Sequence, residues 1–69
     1  MLWLITKNTS YEITSCNTHN DNGTHQLWVT KSNGKSVKIN ESNNKQEINT
    51  IKDAIDYAIE TKETALRLS

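Results

Sequence analysis

The chain has no proline, two glycines and one cysteine. A lone Cys16 rules out an internal disulfide. Domains this small usually need a staple, so stability is expected to come from a sheet–helix core, a bound metal or a second subunit. A homodimer is a reasonable expectation on that ground. Gly23 and Gly34 are too few and too far apart for a glycine-rich phosphate loop. No stretch approaches the ~20 apolar residues that span a bilayer. The opening Met1-Leu2-Trp3-Leu4-Ile5-Thr6-Lys7 is too short for a secretory core and lacks a basic flank. A cytoplasmic protein without membrane contact is expected. Sequons at Asn8, Asn22 and Asn40 carry no weight in that setting, since the chain holds nine Asn, nine Thr and six Ser.

Sixty-nine residues make one domain. A chain of this length buries only ~60% of its unfolded surface. Apolar residues are 33% of the total, yet charge is 23% and nets to zero, which is not a disordered composition. Charge is uneven along the chain. Residues 1–46 carry five lysines against three carboxylates, and residues 47–69 carry three cations against five carboxylates. The overall balance argues against a dedicated DNA binder, whose affinity rests on phosphate contacts.

A weak internal repeat organises the first two thirds. Leu2-Trp3-Leu4-Ile5-Thr6-Lys7 corresponds to Leu27-Trp28-Val29-Thr30-Lys31, and each run is followed by a polar turn and a second alternating run. Tyr11 and Ile13 alternate with Glu12 and Thr14; Val37 and Ile39 alternate with Ser36 and Lys38. Each unit reads as a β-hairpin. Asn33-Gly34 predicts a type I′ turn. Asn17–His25, with no apolar side chain, reads as a surface loop.

Residues 47–68 read as an amphipathic helix. Ile48, Ile51, Ile55, Ala58, Ile59 and Leu66 recur at spacings of three and four, no glycine interrupts them, and Thr50 with Asp53 resembles a capping box. Lys62 falls inside the stripe and must snorkel or end it. The helix must bury its stripe on the sheet. The expected fold is therefore α+β, ββββα: two hairpins forming a small antiparallel sheet (residues 1–40) with one C-terminal helix on one face. Along the strands Leu2, Leu4, Leu27 and Val29 point one way, and Trp3, Ile5 and Trp28 the other.

Several constellations carry a functional meaning and a plainer one. Trp3 and Trp28 on an open face could anchor a protein interface. With Lys7, Lys31, Lys35 and Lys38 they could stack nucleobases. The plainer alternative makes the tryptophans core and turns the leucines outward. Asp53, Asp56, Glu60 and Glu63, bordered by Tyr57, form an acidic helix stripe that could dock on a basic surface or be an ordinary solvated face. Cys16, His19 and His25 offer three weak zinc ligands, but their spacing matches no standard structural site. Cys16 with either histidine lacks an oxyanion hole or a legible pocket, so no catalytic set and no cofactor are expected.

The short length, the Asn/Thr/Lys-rich usage and the lack of proline are similar to small accessory proteins of AT-rich bacteriophages and mobile elements. That resemblance implies action by binding a host factor. The expected function is a non-enzymatic protein-binding module that modulates or inhibits a larger protein. Candidate contacts are Trp3, Trp28, Tyr57, Asp53, Asp56 and Glu60. The alternative is a small single-stranded nucleic-acid binder.

Overall fold

A computed structural model describes residues 1–68. Five strands form one mixed sheet, with order β4-β3-β2-β1-β5, and one helix packs on it. The strands are β1 (Leu2–Ile5), β2 (Ser10–Asp21), β3 (Thr24–Lys31), β4 (Ser36–Ser42) and β5 (Ala65–Arg67); the helix α1 is Lys45–Glu60. β1 to β4 form an antiparallel meander, and β5 adds parallel to β1. The architecture is the expected α+β arrangement, extended by a fifth strand.

The scarcity of apolar residues fixes which face is covered. Leu2, Leu4, Ile13, Cys16, Leu27 and Val29 of the sheet are buried with Ile48, Ile55 and Ala58 of α1. Tyr11, Val37, Ile39, Ile51, Ile59, Leu66 and Leu68 pack around them. Side chains in a strand alternate faces, but Ile13 and Cys16 are three apart. A register shift between Ile13 and Ser15 absorbs the extra residue and keeps both in the core. A second shift, where Leu27 pairs with Asn40 and Trp28 with Lys38, leaves Ile39 as the added residue of β4.

The two Asn-Gly sites make different turns. Asn22 (φ 51°) and Gly23 (φ 80°) both lie in the left-handed region. They form the two-residue loop between the paired Asp21 and Thr24, as a type I′ turn requires. Residues 17–25 are thus the tip of a long hairpin rather than a surface loop. At the other site only Gly34 has positive φ, at 89°. Gly34 N–H donates to Lys31 O at 2.9 Å and Lys31 N–H to Lys35 O at 2.7 Å. This is a three-residue loop with a glycine bulge, not the expected type I′ turn.

The helix also differs from its expected span of 47–68. It starts earlier because Asn44 caps it: Asn44 Oδ1 accepts from Gln46 N–H at 3.0 Å. Thr50 is instead interior, and its hydroxyl donates to Gln46 O. The helix stops at Glu60 without a glycine. Lys62 takes φ 61°, its N–H donates to Ile59 O (3.1 Å), and Glu63 N–H donates to Ala58 O (2.9 Å). These two bonds define a Schellman termination. The released chain then pairs Ala65, Leu66 and Arg67 with Trp3, Leu4 and Ile5. Leu66 therefore joins the core from a strand, and Lys62 marks the helix end.

A lysine in the left-handed region carries a backbone cost of order 1 kcal/mol. Lys62→Gly removes it, partly offset by the greater freedom of glycine in the unfolded chain. The net gain expected is a few tenths to ~1 kcal/mol, read as a higher midpoint in thermal or urea unfolding; a lower midpoint would contradict this account of the helix end. Ile55, with no exposed surface, should cost ~2–5 kcal/mol on replacement by alanine, enough to unfold much of so small a domain.

Candidate functional site

The sheet face opposite α1 is left uncovered, and both tryptophans lie on it. The inward leucines supply the core, so the tryptophans are not needed there. Trp3 is 48% exposed. It sits between Glu12 of β2 and Ala65 of β5. Trp28 is half-buried, flanked by Asn17 and Lys38. Its indole N–H donates to Gln26 Oε1 at 3.0 Å, two residues away on the same strand and face. Beside it lies a shallow depression lined by Asn17, Thr18, His19 and Ser36.

The two indoles are not neighbours. They sit on strands that flank β2, with partners Glu12 and Asn17 five residues apart. Their Cα atoms are on the order of 15–20 Å apart by strand geometry. That is too far to stack two successive bases, and Glu12 beside Trp3 disfavours a phosphate there.

The lysines divide. Lys7 lies in the β1–β2 turn, while Lys31 and Lys35 flank the β3–β4 turn; both turns are at the same end of the sheet. Only Lys38 stands next to a tryptophan, and it is paired with Glu41 at 3.3 Å. The register thus offers no lysine row alongside both indoles.

The acidic stripe is on the far side of the molecule from the tryptophans. Asp53 and Glu60 are exposed, and Tyr57 is 68% exposed. Asp56 accepts a hydrogen bond from Lys52 one turn earlier. That bond, with the attraction of the same carboxylate, holds the Lys52 ammonium above its ordinary pKa. The stripe is therefore partly neutralised within the helix. Glu63 is not on the helix at all but follows its Schellman end. The tryptophan face and the Tyr57 stripe point in opposite directions, so one flat partner surface can meet only one of them.

The three weak metal candidates are not brought together. Cys16 is buried under α1, whereas His19 is exposed and belongs to the other parity of β2. His25 pairs with Asn20, four residues along β2 from Cys16. That separation is ~13 Å along a strand. Among the described residues no group of three His, Cys, Asp or Glu side chains is placed to hold a metal. Burial, reinforced by Asp56 and opposed by Lys52, pushes the Cys16 thiol up to about 11. It is protonated at neutral pH, and thiols are poor nucleophiles and ligands in that form.

A second feature is a groove beside α1, bounded by the β1–β2 turn, β4 and β5. The groove, of about 580 Å³, is lined by Lys7, Thr9 and neighbours of the β1–β2 turn, Tyr11, Lys38, Ile39, Ile51, Arg67 and Leu68. Sequence reasoning missed Arg67 and Leu68 because it placed them in the helix. Arg67 comes to this end only through the parallel pairing of β5, and no local signal in the sequence announces that pairing.

Comparison with known proteins found no matching family model, no matching curated protein and no matching solved structure. No described helix is long and apolar enough to cross a membrane.

The thiol provides a pH test of the packing. Its folded pKa lies above the ordinary value of 9.0, so above pH ~9 the unfolded chain loses this proton while the folded chain keeps it. The Cys16 contribution should then fall between pH ~9 and ~11, by up to roughly 2–3 kcal/mol. Urea midpoints measured across that window should drop more steeply for the wild type than for Cys16→Ala. Parallel slopes would show that the thiol is not shielded by α1.

Proposed function

We propose that this chain is a non-enzymatic protein-binding module, and that its contact surface is the uncovered sheet face carrying Trp3 and Trp28. The observation that carries this reading is the division of large apolar residues. Every leucine, isoleucine and valine except Ile5 serves the core, while the two tryptophans occupy the outer face, one of them nearly half exposed. Tryptophan is the residue most enriched at energetically dominant interface positions. The remainder of the face supplies Asn17, Gln26, Thr30, Ser36 and Lys38, a polar surround of the kind that borders such anchors. The protonated, buried Cys16 supports the non-enzymatic part, because it is the only thiol in the chain.

Modulation or inhibition of a larger host protein, in the manner of the phage and mobile-element accessory proteins that the composition resembles, is the biological form of this proposal. Binding through the Tyr57 stripe with Asp53, Asp56 and Glu60 is less well supported, since Asp56 is already engaged by Lys52. Nucleic-acid binding through Lys7, Lys31, Lys35 and Lys38 is weakened by the distance between the indoles and by Glu12.

The test is affinity capture from a bacterial lysate with and without nuclease treatment, comparing wild type with Trp3→Ala. Trp3 is exposed enough that the variant should stay folded, as circular dichroism will verify. A stoichiometric protein retained by the wild type should bind the variant at least ~30-fold more weakly, the scale of an interface hot spot. Capture only of nuclease-sensitive material would favour the nucleic-acid reading. Capture of a second copy alone would favour a homodimer joined through the free edge of β4 or β5.

A further inference from the structure

The groove beside α1 is built from parts distant in sequence. Lys7 comes from the β1–β2 turn, Lys38 from the β4 edge and Arg67 from β5. Tyr11, Ile39, Ile51 and Leu68 line the same groove, and each is partly buried against the core. The turn is held in place by its own bonds: Thr6 N–H and Thr6 Oγ1 both donate to Thr9 O at 2.8 Å. Leu68 is tied to the sheet by its N–H donating to Ile5 O at 2.7 Å. The apolar wall is therefore fixed, while the cationic side chains are exposed at the rim.

The charge of the groove departs from that of the whole chain. The chain nets to zero, but among the described residues the groove is lined by Lys7, Lys38 and Arg67 and by no Asp or Glu. Lys38 lines it from the β4 edge, but its ammonium pairs with Glu41 on the tryptophan face. Among the described residues, neither Lys7 nor Arg67 lies within ion-pair distance of a carboxylate. A volume of about 580 Å³ falls in the range of small-molecule sites. A bare inorganic anion would leave the apolar wall wet. A neutral apolar molecule would leave the cations unused.

We propose that this groove binds a small amphipathic organic anion, one acidic group joined to an aliphatic or aromatic body. The body lies on Tyr11, Ile39, Ile51 and Leu68, and the acid group is met by Arg67 and Lys7. Arginine suits the acid group because its guanidinium can engage a carboxylate or phosphate through two parallel hydrogen bonds. This site goes beyond the protein-binding reading and does not depend on it, since neither tryptophan lines the groove.

The experiment uses the full chain, ¹⁵N-labelled, titrated with octanoate, acetate and 1-octanol and followed by amide chemical shifts. Octanoate should give saturable shifts at Lys7, Thr9, Tyr11, Ile39, Ile51 and Leu68. Acetate and octanol should each bind at least several-fold more weakly. Loss of two exposed charge contacts in the double variant Lys7→Gln, Arg67→Gln should weaken octanoate about tenfold. Lys35→Gln, outside the groove, should leave it unchanged. The proposal is overturned if octanol matches octanoate, if acetate matches octanoate, if the double variant binds as wild type does, or if the shifts map to Trp3 and Trp28. The last result would leave the tryptophan-face reading standing, so the two failures are distinguishable.

Discussion

Everything in this molecule rests on a core that can be built on one side of the sheet only. With a third of its residues apolar, the chain can cover one sheet face with one helix and no more. Six buried sheet residues meet Ile48, Ile55 and Ala58 across that layer. Each strand must therefore deliver its aliphatic side chains to the same side, and a slip of one residue would turn them all to water. The register shift at Thr14–Ser15 follows from that demand, since it re-phases β2 where Ile13 and Cys16 are out of step.

That same asymmetry creates one of the two surfaces that function could use. Because the helix takes the leucine face, the tryptophan face is left open. Beside α1, the β1–β2 turn, β4 and β5 bound a groove. The fifth strand supplies its arginine. The two surfaces differ in chemistry: one is a broad polar face with isolated aromatic anchors, the other a narrow apolar wall with a cationic rim.

Several elements were legible from local pattern. The alternation of Leu2, Leu4, Leu27 and Val29 against Trp3 and Trp28 predicted which side chains would share a face, since a strand has no other way to dispose them. The spacing of Ile48, Ile51 and Ile55 predicted the helix and its buried stripe. Local pattern misled at Asn33-Gly34, where the dipeptide fits more than one turn and hydrogen bonds across Lys31 and Lys35 select the three-residue form. It misled at residues 17–25 because a polar stretch extends a hairpin as readily as it forms a loop. The metal and nucleophile candidates looked close in sequence, but strand geometry sends Cys16 and His19 to opposite sides and sets His25 four residues away.

What the sequence determined by itself was the set of residues able to form a core and the periods at which they recur, because side-chain direction in a strand or helix is a local property. Which of two competing local structures residues 61–68 adopt was decided by tertiary structure. Ala65, Leu66 and the lack of glycine favour helix, yet the open edge of β1 offers three residues a ladder and Leu66 a place beside Leu4. Only the assembled sheet presents that edge, and only then does the left-handed turn at Lys62 become worth its cost. Arg67 reaches the groove by the same route, which is why no reading of neighbouring residues could place it there.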